Sequence, residues 1–273
     1  MKYFYEKLSE DDYKIGYKVK KSIYSKKIKN NKIEVFENPF LGRIFVLNGL
    51  IKLVQKYEFA LSEMITHSIM FSHPKPEKVL VASDFDRGIL KEILKYKNVN
   101  EVYFISDNKE AYEIAKKYFP ELELKEVSKN EKIKIIFDNS LEYINNFQDY
   151  FDIIIIDSEK AEFKAKEFLK SANKALTKEG MLALVSGSLK DSFNIKAIKT
   201  IFRSEIVVRV PSITQIFSEL GLILCSKKID LSEISLRTLM TRFKQFKEAK
   251  DLKYYSPEMF LSSMVIPKFY KTK

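Results

Sequence analysis

The feature that most constrains this chain is a change of grain after His73-Pro74. From there, short and nearly continuous apolar runs alternate with stretches whose apolar residues recur at helical spacing. The runs are Lys78 to Ala82, Glu101 to Ile105, Lys132 to Phe137, Phe151 to Ile156 and Met181 to Val185. Between them lie Gly88 to Tyr96, Lys109 to Tyr118, Leu141 to Phe147 and Phe163 to Leu176, the last closed by Lys178-Glu179-Gly180. A strand that is apolar at successive positions leaves neither face for water, so both faces must be covered, and intervening helices supply the cover. The pattern predicts an α/β domain with a parallel sheet between two helical layers.

The first 55 residues read differently. Tyr17 to Tyr24 and Lys32 to Phe36 alternate in part, and Asn30-Asn31 and Asn38-Pro39 are turn signals. Arg43 to Leu47, Asn48-Gly49 and Leu50-Ile51 make a hairpin, because Asn-Gly supplies the two positive φ angles of a type I′ turn. The expected division is a β-rich domain over 1–55 and an α/β domain over 56–273, opened by a well-buried helix from Glu58 to Phe71. Leu231 to Lys247 reads as a charged amphipathic helix packed on the sheet.

Composition narrows the function. The net charge is +11, but the basic residues are mostly Lys and lie along the whole chain, which argues against a nucleic-acid partner. No run approaches the roughly 18 apolar residues of a membrane span. The single cysteine, Cys225, leaves no internal disulfide and no cysteine-rich metal site. His67 and His73 have no partners at metal-ligand spacing, and His67 reads as a satisfied core residue. The N-terminus lacks the apolar core of a signal peptide, and the expected compartment is the cytoplasm.

Ligands of parallel α/β sheets bind outside the carboxyl ends of the strands. Those ends are Ser83 to Arg87, Ser106 to Asn108, Asp138-Asn139 and Asp157 to Lys160, and every one carries an acid. One such Asp can simply cap the next helix. Acids at all four ends suit a ligand with hydroxyls and a positive charge better than a phosphate.

A colinear set of short motifs then resembles the spermidine synthase (polyamine aminopropyltransferase) family, built on the class I methyltransferase fold. The set comprises Phe36-Glu37-Asn38, Gly42-Arg43, Asn48-Gly49, Glu58-Phe59, Glu63-Met64, Thr66-His67, Pro74-x-Pro76-x-Lys78-Val79-Leu80, Tyr118-Phe119-Pro120, and Lys253-Tyr254-Tyr255 with Pro267. The resemblance implies an N-terminal β domain, a homodimer or homotetramer, decarboxylated S-adenosylmethionine as co-substrate with no other cofactor, and a diamine as acceptor.

It also implies site residues. Asp157 matches the catalytic Asp that takes the amine proton, and Asp86 the Asp that binds the aminopropyl nitrogen. The two are expected to face each other across one pocket. Ser106 and Asp107 stand where an acid binds the ribose, Asp138 and Asn139 where an Asp meets the adenine, and Asn31 where a Gln binds the donor. Glu159, Lys160 and Tyr255 fall at the acceptor end, Lys160 in place of the second acid of Asp-x-x-Asp. The family's glycines are replaced in Ser83-Asp84-Phe85-Asp86-Arg87-Gly88, and its early His and Tyr by Leu61 and Ser62. Three readings follow: an aminopropyltransferase with a rearranged site, a transferase whose Lys160 receives a carboxylated substrate, and a non-catalytic binding subunit.

Overall fold

The computed structural model describes residues 2–7, 14–122, 130–211 and 219–271. β1 (Lys2–Tyr5) and β2 (Gly16–Val19) form an antiparallel ribbon. β3 (Lys21–Ile28), β4 (Asn31–Asn38), β5 (Gly42–Leu47) and β6 (Leu50–Val54) form a four-stranded antiparallel meander in that order. The β5–β6 turn has the expected geometry, with φ of +55° at Asn48 and +86° at Gly49.

After α1 (Glu58–Met70) come β7 (Lys78–Ser83), α2 (Ile89–Leu94), β8 (Glu101–Ser106), α3 (Lys109–Tyr118) and β9 (Ile133–Phe137). Then follow α4 (Ser140–Tyr143), β10 (Phe151–Asp157), α5 (Lys166–Ala175), β11 (Leu176–Ser188), α6 (Ile198–Ile201), β12 (Ser204–Val210) and β13 (Leu220–Ser226). α7 (Leu236–Gln245), α8 (Pro257–Ser263) and α9 (Lys268–Lys271) close the chain. The seven strands β7 to β13 form one sheet in the order β12-β13-β11-β10-β7-β8-β9. The five runs read from the sequence are its parallel part, and β13 is antiparallel to both its neighbours. This is the class I methyltransferase-like sheet preceded by a small β domain.

Alternation within the apolar strands divides the core. Val79, Val81, Ile153 and Ile155 face the layer containing α1 and α2, while Leu80, Ala82, Ile154 and Ile156 face that of α5 and α6. A third cluster sews the β domain on: Ile33, Val35, Phe45 and Leu53 pack against Phe85 and the α3 residues Ala111, Ile114 and Ala115.

Two expectations need adjustment. β11 begins at Leu176, so Lys178-Glu179-Gly180 lies inside an irregular strand rather than ending a helix. The amphipathic segment after Leu231 becomes a helix only from Leu236, where Ser235 caps it, and Leu239 anchors it to the sheet. Among the described residues no helix is long and apolar enough to cross a membrane.

Candidate active site

β7 lies inside the sheet beside the central β10; the chain winds outward from β7 through β8 and β9, then returns to place β10 on the other side. The crevice between the carboxyl ends of β7 and β10 is therefore the switch point where a ligand is expected. Its floor is the register pair Ser83 and Asp157. The Asp157 side chain is only 1% exposed. Ser83 Oγ lies 3.1 Å from its Oδ2, and Arg87 Nε donates to the same oxygen over 2.6 Å. Arg87 Nη1 donates to the Lys52 carbonyl of β6 at 2.9 Å, which ties the β domain to the crevice.

The loop after β7 explains how Arg87 gets there. Asp86 Oδ1 accepts from the backbone N–H groups of Gly88 (3.1 Å) and Leu90 (3.2 Å), turning the chain into α2. Gly88 takes φ +100°, a left-handed conformation, and a Cβ there would stand 3.1 Å from Glu58 Oε2. The loop thus keeps its one glycine where the backbone requires it. Phe85 turns into the interdomain core at 2% exposure, its ring centre 4.7 Å from that of Phe45.

Asp157 opens on a cleft walled by Ile51, Leu53 and Val54 of β6, Tyr57, Glu58 and Leu61 at the start of α1, and Val185 and Leu220. Glu58 and Glu159 complete a set of three acids on its lining. Each has a cation: Arg87 for Asp157, Lys52 for Glu159 at 3.0 Å, and Lys91 for Glu58 at 3.8 Å. Burial pushes the Glu58 carboxyl up to about 7, against the pull of Lys91 and Ser62. Burial acts upward on Glu159 too, but Lys52, Arg87 and Lys164 outweigh it and hold the group below its usual range.

The expected residues scatter around this cleft. Asp86 does not share it: its side chain borders a separate hollow beside Tyr112 and Phe119, where burial pushes its carboxyl up to about 7 despite the α2 amides. Asp86 and Asp157 therefore line different hollows, Asp86 being engaged by the α2 amides, although the Asp157 charge adds to the upward push on the Asp86 carboxyl.

Lys160 is not at the acceptor end either. Its Nζ bridges Asp84 Oδ1 at 2.8 Å and Asp107 Oδ1 at 2.9 Å, across the ends of β7 and β8. Burial lowers its affinity for a proton, but the two carboxylates raise it further, so the ammonium is charged and already paired. A substrate carboxylate at Lys160 would have to compete with Asp84 and Asp107 for the ammonium.

Ser106 Oγ donates to the Asp84 carbonyl and accepts from Asn108 N, while Asn108 caps α3 by accepting from Ala111 N. Asp138 accepts from Asn139 N, and Asn139 caps α4 through Leu141 N. Asn31 Oδ1 accepts from Asn48 in the β domain.

Tyr255 is corrected as well. It is 3% exposed, stacks on Phe71 with ring centres 5.4 Å apart, and packs beside His67 away from the cleft. His67 is the satisfied core residue expected, with Tyr96 Oη at 2.7 Å and Glu92 Oε2 at 2.9 Å.

Sequence reading passed over three cleft residues: Glu58, Arg87 and Lys52. Glu58 was visible only as part of a motif, and Arg87 only as a letter in the loop. Their signal is an acid at the N-terminus of a helix apolar on most sides, and an Arg two residues after a strand-end loop begins to turn.

A seven-stranded sheet with one antiparallel strand, acids at its switch point and a β-meander over the crevice defines a class I methyltransferase-like domain. Residues 58–230 match the family model described as the spermine/spermidine synthase domain, and residues 3–55 the spermidine synthase tetramerisation domain. The chain belongs to the spermine/spermidine synthase family, an enzyme family of polyamine aminopropyltransferases.

Among relatives, the polyamine aminopropyltransferase of Thermotoga maritima is 30% identical over 290 residues, covering 98% of this chain and 92% of the relative. The spermidine synthase of Schizosaccharomyces pombe is 28% identical over 262 residues, covering 92% and 86%. A crystal structure of spermidine synthase in complex with the transition state analogue AdoDATO superposes with a TM-score of 0.89 at 27% identity, over 98% of this chain and 93% of that one.

Proposed function

We propose that this chain transfers an aminopropyl group from decarboxylated S-adenosylmethionine to a diamine, with Asp157 as the proton acceptor. The observation that carries the reading is the position of Asp157: a buried carboxylate at the carboxyl end of β10, opening on a cleft with two further acids. An alkylamine has a pKa near about 10 and arrives protonated, so a carboxylate must first take its proton. The freed nitrogen then attacks the propyl carbon beside the sulfonium. The C–S electron pair goes to sulfur, the sulfonium becomes a neutral thioether, and methylthioadenosine leaves. The sulfonium brings its own leaving group, so the chemistry calls for no other cofactor.

The cations of the cleft decide the acceptor step. Two like charges 4 Å apart repel by about 4 kcal/mol at an effective dielectric of 20. A diamine therefore binds by displacing Arg87 from Asp157, Lys52 from Glu159 or Lys91 from Glu58, and each displacement hands the ammonium a carboxylate. The match of residues 3–55 to a tetramerisation domain supports a homo-oligomer as the working form.

A second reading, a binding subunit without turnover, is favoured by the Lys160 bridge and the Arg87 pair, which neutralise the acids a cationic donor would use. Calorimetry with methylthioadenosine and the decarboxylated donor, followed by turnover across a diamine panel, separates the two. Turnover lost in Asp157→Asn supports aminopropyl transfer. Donor binding without turnover on any diamine supports the second reading and overturns the first.

A further inference from the structure

The three acids of the cleft are not equally engaged, and the difference gives Glu58 a role of its own. Building on the aminopropyl-transfer reading, we propose that Glu58 determines acceptor specificity: its carboxylate holds the ammonium at the far end of the diamine while the near nitrogen reacts at Asp157.

The contrast lies in the partners. Asp157 Oδ2 accepts from Arg87 Nε at 2.6 Å and from Ser83 Oγ at 3.1 Å. Glu159 Oε1 accepts from Lys52 Nζ at 3.0 Å. Glu58 Oε2 accepts from Ser62 Oγ at 3.2 Å, but Lys91 Nζ stops 3.8 Å short of Oε1, beyond hydrogen-bond reach. The Glu58 side chain is 8% exposed, yet Oε1 is not one of the unbonded side-chain oxygens sealed from solvent. It is an accessible acceptor with room for one more donor.

The cleft gives that donor a shape. Glu58 starts α1 and Asp157 ends β10, and both border the same space. Arg87, which holds Asp157, is followed by Gly88, where a Cβ would stand 3.1 Å from Glu58 Oε2. The walls are the apolar side chains of Val54, Leu61, Val185 and Leu220. Such walls suit a methylene chain, and an acid at each end suits two ammonium groups. A monoamine that reaches Asp157 leaves Glu58 without a partner.

Charged groups surround Glu58 from several elements. Glu63 lies on α1 itself and Lys91 and Glu92 on α2, while Lys52, Arg87, Asp157 and Glu159 share the cleft. Burial is the largest influence and leaves the carboxyl raised to about 7. An ammonium against Oε1 favours the ionised form, so it competes with that proton and binds more tightly as pH rises through this value.

The experiment measures putrescine and butylamine binding by calorimetry in the presence of methylthioadenosine. It compares the full-length protein with its Glu58→Gln and Lys91→Ala variants, and turnover of putrescine is scored separately. At pH 8 the unmodified protein should bind putrescine at least about tenfold more tightly than butylamine, the scale of one hydrogen bond to a charged group. Its affinity for putrescine should fall about tenfold between pH 8 and pH 6. Glu58→Gln should bind the two amines alike with no such pH response, and Lys91→Ala should bind putrescine more tightly.

A putrescine preference that survives in Glu58→Gln, or an unmodified protein that does not discriminate the two amines, overturns the proposal. Turnover with the preference intact in Glu58→Gln would sink the assignment of Glu58 and leave aminopropyl transfer standing. A preference lost in Glu58→Gln, with no turnover in the unmodified protein, would support the diamine site and overturn the transfer.

Discussion

The Arg87 guanidinium donates to Asp157 Oδ2 over 2.6 Å, so the carboxylate at the switch point already has a cation against it. Arg87 is 11% exposed and Asp157 1%, and breaking such a buried pair by removing one partner leaves a stranded charge. Arg87→Leu should lower stability by about 3 kcal/mol in urea unfolding. Putrescine should raise the Tm of that variant more than the Tm of the unmodified protein, because the ammonium then meets a free carboxylate. An equal response of both proteins would mean that diamines do not reach Asp157.

Lys160 is 38% exposed and bridges two carboxylates. Lys160→Ala should change stability by less than about 1 kcal/mol, the scale of exposed ion pairs. It should tighten methylthioadenosine binding several-fold in calorimetry, since Asp107 becomes free to accept from a ribose. Weaker binding in the variant would show that the ammonium assists the nucleoside.

Glu58 makes stability fall as pH rises. Burial pushes its carboxyl up to about 7 in the folded chain, above the ordinary carboxylate value of 4.5 expected when unfolded. Between those values the folded chain binds more protons than the unfolded one, so raising the pH through that window destabilises the fold. The gap corresponds to about 3 kcal/mol at most. Glu58→Gln removes the penalty: Tm should rise above that of the unmodified protein at pH 8 and match it near pH 4.5. An equal change at both pH values would place the effect in packing rather than in titration.

Phe85 is the peg between the two domains. Phe85→Ala should cost about 3–5 kcal/mol. If the peg couples the domains, urea unfolding of the variant splits into two transitions, readable as a lowered m-value. A single transition with an unchanged m-value would show that the rest of the interdomain cluster suffices.

The scaffold was legible because strand burial is written locally: Phe151 to Ile156 has no polar position, and only a strand covered on both faces tolerates that. β12 and β13 were not read, although Ser204–Val210 alternates cleanly between buried and half-exposed positions. The site was less legible, for a physical reason. Asp86, Asn108 and Asn139 are strand-end polar residues that serve as helix starters, and a cap and a ligand group look alike in one dimension. Lys160 stands where an acid was expected, yet its long arm carries the charge back to β7 and β8, which spacing along the chain does not reveal. Tyr255 was assigned by its neighbours in sequence, while burial decided its place.

Glu63 carries a consequence for how this molecule is made. Its carboxylate, 2% exposed in α1, accepts the backbone N–H groups of Lys253 (3.0 Å), Tyr254 (2.8 Å) and Tyr255 (2.9 Å), up to 192 residues downstream. Until that stretch leaves the ribosome, the donors that allow Glu63 to be buried are missing, and burying the face of α1 that carries it would strand a charge. The nascent polypeptide must wait with its first helix open to solvent and to chaperones, and translation that halts before Lys253 should yield a product marked for proteolysis.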